Sequence, residues 1–92
     1  MIKSFKHKGL KRLYEKGDPR LIGASIRGVA EEILSMLDEA VISDDLDLPG
    51  CRLHPLKGTL KGFWSMTVNA NWRIIFRLVD GHVYDVQLID YH

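Results

Sequence analysis

One cysteine, three prolines and no long apolar run are what this sequence has least of, and each scarcity removes a class of answer. With Cys51 alone, an intramolecular disulfide and a thiolate zinc site are both excluded. A single free thiol fits a small, half-buried filler in a reducing compartment. No stretch approaches the roughly 20 apolar residues that span a bilayer. Met1 to Phe5 also lacks the hydrophobic centre of a leader peptide, so a cytoplasmic protein without membrane contact is expected. The histidines His7, His54, His82 and His92 never fall four apart as on a zinc-binding helix. No metal and no cofactor are expected.

What is present suffices for one core. Hydrophobic residues make up 46% and charged residues 27% of 92 residues, which suits a single globular domain spanning 1–92. The net charge of +1 hides a division along the chain. Residues 1–20 carry seven basic and two acidic side chains, 21–50 one basic and seven acidic, and 51–92 five basic and three acidic. Such segregation fits a molecule with one side turned to a polyanion and another turned elsewhere. Solvated helix faces of opposite sign would give the same count.

Periodicity predicts two helices and then strands. Leu10, Leu13 and Tyr14 form one stripe of a helix over 7–16, with Lys8, Lys11, Arg12 and Lys16 largely off it, and Gly17-Asp18-Pro19 breaks it. Ile22, Ile26, Val29, Ala30, Ile33, Leu37, Ala40 and Val41 predict a second helix, with Glu31, Glu32, Asp38 and Glu39 on much of its other side. An irregular acidic connection follows and closes at Pro49-Gly50. Thereafter the rhythm is that of strands: 51–56, interrupted by Pro55; 63–68; 72–79; and, after the hairpin signal Asp80-Gly81, 82–89. Ile2 to Phe5 is a short opening strand able to rejoin the sheet. The fold class is α+β, two N-terminal helices packed on a small, mainly antiparallel sheet.

Strand alternation turns Trp72, Ile74, Phe76 and Leu78 one way and Arg73, Ile75 and Arg77 the other. Two arginines spaced by two on one strand suit phosphate. His54 and Lys57 flank Pro55, and Asp90-Tyr91-His92 follows the last strand. RNA cleavage by the ribose 2′-hydroxyl needs a base, an acid for the leaving 5′-oxygen and cations for the phosphorane charge, all without a metal. His54, Lys57, Arg73 and His92 could supply all three. Each also has a duller reading: a frayed terminal histidine, a loop histidine, a turn lysine, solvated strand arginines. His7 and His82 are given no functional role.

The run His54-Pro55-Leu56-Lys57-Gly58, then Gly62-Phe63-Trp64-Ser65, Asn71-Trp72-Arg73 and the terminal Asp90-Tyr91-His92 together resemble the HigB-type toxins of the RelE/ParE superfamily. The opening Ile2 to Leu10 and the length near ninety are similar too, so the resemblance covers essentially the whole chain. It implies a RelE-like microbial ribonuclease fold and a ribosome-dependent endoribonuclease that cuts messenger RNA in the A site, leaving a 2′,3′-cyclic phosphate and a 5′-hydroxyl. Translation is thereby inhibited. By position it implies His54, Lys57, Arg73, Asp90, Tyr91 and His92 as the catalytic site. His92 would transfer a proton, His54 assist or orient, Lys57 and Arg73 steady the phosphate, Tyr91 stack on or orient a base, and Asp90 hold a neighbour. Acid and base can be exchanged without conflict with the sequence.

Lys6, Lys8, Lys11, Arg12 and Arg77 are candidate RNA contacts. Where some relatives carry a basic residue this chain has Asn69, which bears on cleavage rate or codon preference. The implied partners are a helix-turn-helix antitoxin of the HigA kind and the 70S ribosome with its messenger RNA. Operator DNA would be met only through the antitoxin. The alternatives are a non-catalytic module of the same fold, acting through antitoxin and operon, and a free RNA-binding protein. The latter would be more strongly basic or interleave aromatic with basic residues.

Overall fold

The computed structural model describes residues 1–47 and 50–90. Helix α1 spans Lys8–Lys16 and helix α2 spans Arg27–Glu39. Strands β1 (His54–Pro55), β2 (Trp64–Thr67), β3 (Trp72–Val79) and β4 (His82–Asp90) form an antiparallel sheet in the order β1-β2-β3-β4. The opening segment runs parallel to β4 along its outer edge through bridges Ile2–Val83 and Phe5–Val86. That arrangement agrees with the expected α+β class.

Both ends of α1 are fixed locally. His7 caps its start, the Leu10 N–H donating to Nδ1 at 3.1 Å. Gly17 closes it with φ 63°, a left-handed conformation that costs glycine least, and returns its N–H to the Leu13 carbonyl at 3.0 Å. Helix α2 is shorter than its apolar spacing predicts. Tight turns, Ile22 N–H to Pro19 carbonyl and Ile26 N–H to Gly23 carbonyl, bring Ile22 and Ile26 into the core before the helix begins. Val29 and Val41, expected on the buried stripe, are exposed. The expected strand over 51–56 contracts to His54–Pro55.

Leu10, Leu13, Ala30, Ile33, Leu34 and Leu37 pack against Met66, Ile74, Phe76, Val83 and Val86 from one face of the sheet. Burying a side chain the size of Phe76, which has no exposure, contributes about 1.5–3 kcal/mol. Cys51 is a half-buried filler against this core. Asp38 ties three segments together: its Oδ1 accepts from Tyr14 Oη on α1 at 2.5 Å and from the Ile2 N–H at 3.3 Å. The hydrogen bond to Asp38 pushes the Tyr14 phenol up to about 12 and holds the Asp38 carboxyl below its ordinary value.

Candidate active site on the open face of the sheet

The helices cover one side of the sheet, and ladder register identifies what lies on the other. His54 pairs with Ser65, Ser65 with Ile75 and Ile75 with Gln87, making one row across four strands. The next row runs Thr67, Arg73 and Ile89. Adjacent strands lie about 4.8 Å apart, so His54 and Arg73, two strands and one row apart, are within about 12 Å at the backbone. Lysine and arginine side chains can close that distance on one phosphate. Ser65 and Ile75 are 1% exposed, so a buried floor underlies a polar surface. The alternation expected of β3 therefore holds, except that Ile75 is as buried as its neighbours on the helix side.

His54 is exposed, and its Nδ1 lies 3.2 Å from the Arg52 carbonyl. Lys57 is exposed at the start of the short turn Gly58–Leu60. Arg73 turns its Nη1 back to the carbonyls of Asn69 at 2.5 Å and Trp72 at 3.1 Å. Asn69 builds the turn that makes this possible, its Oδ1 accepting from the Asn71 and Trp72 N–H groups at 2.9 Å each. A basic side chain at 69 would lose that turn, so here the residue supports Arg73 rather than meeting phosphate itself. Asp90 ends β4 opposite Trp72, one position from the Arg73–Ile89 pair. Tyr91 and His92 lie outside the described residues.

The candidate RNA contacts divide. Lys6 reaches the Phe63 ring, with Nζ 5.9 Å from its centroid. Arg77 is half exposed and its Nη1 lies 3.6 Å from Asp85 Oδ2. Lys8 and Lys11 are exposed on α1, in the helical layer and away from the His54 row. Arg12 is committed to Asp18 at 2.8 Å, and Asp18 also takes Arg20 at 2.9 Å. These two guanidiniums hold the Asp18 carboxyl far below the usual carboxylate range.

Sequence reasoning missed Arg52, Ser65 and Gln87. Ser65 and Gln87 share their row with His54, which only the register across the four strands discloses. The place of Arg52 depends on a register shift. Among the described residues no three His, Cys, Asp or Glu side chains gather to hold a metal ion. The best-formed groove, about 360 Å³ between α1 and α2, is lined by Tyr14, Glu31, Ser35 and Asp38 and contains none of the site residues. Among the described residues, His54, Lys57 and Arg73 thus lie apart from that groove.

Known proteins resemble the chain in sequence and in fold. The chain is 46% identical to "Endoribonuclease HigB" of Proteus vulgaris over 92 residues, all of both chains. It is 42% identical to "Toxin HigB-1" of Vibrio cholerae over 83 residues, 88% of this chain and 87% of that one. In fold it matches a chain of a YoeB–YefM complex from Staphylococcus aureus at TM-score 0.65 and 17% identity, covering 100% of this chain and 95% of that one. The family described as "RelE-like toxin of type II toxin-antitoxin system HigB" matches residues 3–92, and the chain belongs to it.

Proposed function

We propose that this protein is an endoribonuclease toxin that cuts messenger RNA in the ribosomal A site and so blocks translation. What carries the reading is a full-length relative named as an endoribonuclease combined with a sheet face that bears His54 and Arg73. An open site gains little from free, mobile RNA. It gains most from RNA already fixed in a reactive geometry, and a ribosome supplies that fixation.

The reaction forms a bond from the ribose 2′-oxygen to phosphorus and breaks the bond from phosphorus to the 5′-oxygen. One group accepts the 2′-hydroxyl proton and another protonates the departing 5′-oxygen, leaving a 2′,3′-cyclic phosphate. His54 and His92 divide these two transfers. Lys57 and Arg73 meet the charge that builds on the phosphorane. Tyr91 stacks on or orients a base, and Asp90 holds a neighbour in place. Lys6, Lys8, Lys11 and Arg77 give charge contact with ribosomal RNA; Arg12 contributes less, being paired with Asp18.

The toxin acts in the cytoplasm, and among the described residues no helix is long and apolar enough to cross a membrane. Its partner is a helix-turn-helix antitoxin of the HigA kind, through which alone it meets operator DNA. The membership of a toxin–antitoxin family and the YoeB–YefM assembly of a fold neighbour support that partnership.

Primer extension on a defined messenger RNA, with and without ribosomes, tests the reading. Cuts confined to the A-site codon of translating ribosomes are expected. Cuts without ribosomes would keep the nuclease and discard its ribosomal substrate. No cuts from folded, antitoxin-free protein would leave a binding module. In the same assay Arg73→Ala should lose about 10²–10³ in rate, the scale of one charge-stabilising donor. Lys61→Ala should lose almost nothing, and equal losses would reduce Arg73 to general charge. His92→Gln should abolish growth inhibition with the fold retained.

A further inference from the structure

The way β1 joins β2 contains a fault in register, and the fault lies beside His54. His54 and Pro55 pair with Ser65 and Trp64, and the Leu56 N–H donates to the Phe63 carbonyl at 2.9 Å. Continued regularly, this ladder would bring Arg52 opposite Thr67. Instead the Thr67 N–H donates to the Cys51 carbonyl at 2.7 Å. One extra residue is therefore accommodated between Cys51 and His54, which is a β-bulge. Arg52 absorbs it with φ 49°, left-handed backbone that a side chain of this type seldom adopts. Bulges of this kind re-aim neighbouring groups. Here the re-aimed group is the Arg52 carbonyl, which faces His54 Nδ1 at 3.2 Å.

A carbonyl oxygen can only accept. A neutral imidazole bonded to it must carry its proton on Nδ1, and its Nε2 then presents a bare lone pair. We propose that Arg52 is a positioning residue: its bulged, left-handed backbone holds His54 as the Nδ1–H tautomer, with Nε2 as the proton acceptor of the cleavage reaction. This deepens the endoribonuclease reading and rests on it for the word reaction, not for the tautomer. It also resolves an exchange the sequence leaves open. With Nδ1–H tied to a carbonyl, His54 takes the 2′-hydroxyl proton, and the proton for the 5′-oxygen comes from another group. The contribution of Arg52 is its main chain, so its guanidinium is dispensable to this role.

His7 provides an internal contrast. Its Nδ1 accepts the Leu10 N–H, so the neutral ring must carry its proton on Nε2. Two histidines in one protein are thus assigned opposite tautomers by hydrogen bonds of opposite sense. Long-range proton–nitrogen correlation of the imidazole rings separates the two forms. The sample is the antitoxin-free toxin, labelled with nitrogen-15 on histidine, at about pH 8, where histidine is ordinarily neutral. His54→Gln assigns the signal.

The expected spectrum has His54 predominantly protonated on Nδ1 and His7 on Nε2. Arg52→Gly adopts the left-handed conformation freely and should keep the tautomer of the parent. Arg52→Val resists that conformation. It should shift His54 toward the Nε2–H form and slow A-site cleavage by between about ten- and a thousandfold, since a wrongly held tautomer is a poor base. A parent His54 mainly in the Nε2–H form would overturn the proposal. So would Arg52→Gly losing as much activity as Arg52→Val, because the guanidinium would then be the working part. Should Arg52→Val fail to fold, the parent spectrum and Arg52→Gly still decide. Absence of cleavage by the parent protein would sink the nuclease reading while leaving the tautomer measurement to stand or fall separately.

Discussion

Among the described residues, and apart from Asp80 in the β3–β4 hairpin turn, two residues other than glycine interrupt this sheet in left-handed conformation, Arg52 beside β1 with φ 49° and Asp85 in β4 with φ 56°. Their surroundings differ sharply. Around Asp85 the shift between Ile75 and Arg77 pairing is secured many times over. Its N–H donates to Ser4 Oγ at 2.8 Å, the same hydroxyl donates to its Oδ1 at 3.3 Å, and Arg77 lies 3.6 Å from Oδ2. Val86, next along, exchanges backbone hydrogen bonds with Ser4 and Lys6. Aspartate also tolerates this backbone better than most residues. Arg52 has none of that redundancy: it is exposed, and its carbonyl is turned to His54. Left-handed backbone in a residue other than glycine costs on the order of 1–3 kcal/mol. At Asp85 the cost is offset by docking the chain's opening segment onto the sheet. At Arg52 the described residues show a single backbone hydrogen bond across the bulge, Thr67 N–H to the Cys51 carbonyl at 2.7 Å, and the carbonyl of Arg52 itself is turned to one imidazole.

The sharpest way to break this contrast is to remove the hydroxyl that secures the first bulge. Ser4→Ala leaves the partly buried Asp85 N–H without its acceptor, at a cost of about 1–3 kcal/mol. Urea unfolding should show that loss as a lower midpoint with unchanged slope. Cleavage per folded molecule should be unaltered. The Arg52→Val variant should behave in the opposite sense, with the larger effect on rate. If Ser4→Ala slows cleavage as strongly as it destabilises, the two bulges do not divide into scaffold and site.

The contrast also explains what the sequence disclosed. Helix α1 and strands β2 to β4 were legible because Leu10 and Leu13, or Ile74 and Phe76, repeat at the period of one element and all enter one core. The start of α2 was not. Ile22 and Ile26 fall at helical spacing and are buried, yet short turns deliver them, so the period was right and the element wrong. Val29 and Val41 carried the same signal and are exposed. Arg73 was legible from strand parity alone. Arg52 was not, because a bulge is an unmatched count between two strands and leaves no signature in either one. Tyr91 and His92, proposed from their residue types and from the family resemblance, lie outside the described residues.

A second measurement extends the comparison to the scaffold side. Tyr14 and Asp38, like Ser4 and Asp85, join distant segments by a hydrogen bond between side chains. The Tyr14 phenol is raised from 10.0 to about 12, chiefly by its bond to Asp38. The folded protein therefore holds this proton more tightly than the unfolded chain. The resulting stability is complete below pH 10 and is lost as pH rises toward 12. Tyr14 should therefore ionise late in an ultraviolet titration. Tyr14→Phe should abolish that late step; if it persists, another tyrosine carries it.

The smallest expected effect concerns the two histidines whose Nδ1 atoms play opposite parts. Burial lowers the His7 value below 6.5, and its bare Nδ1 caps α1 only while the ring is neutral. In the window just below pH 6.5 the unfolded chain binds the proton that the folded chain refuses, so stability falls as pH falls through it. Losing the capping bond itself would cost about 0.5–2 kcal/mol. Asp38 titrates in a separate, more acidic window, since its folded value lies below 3.8. His7→Asn supplies an uncharged capping oxygen and should keep stability at neutral pH while flattening the dependence near pH 6. Urea midpoints of parent and variant across that range decide the matter. A slope that survives in His7→Asn would belong to another histidine.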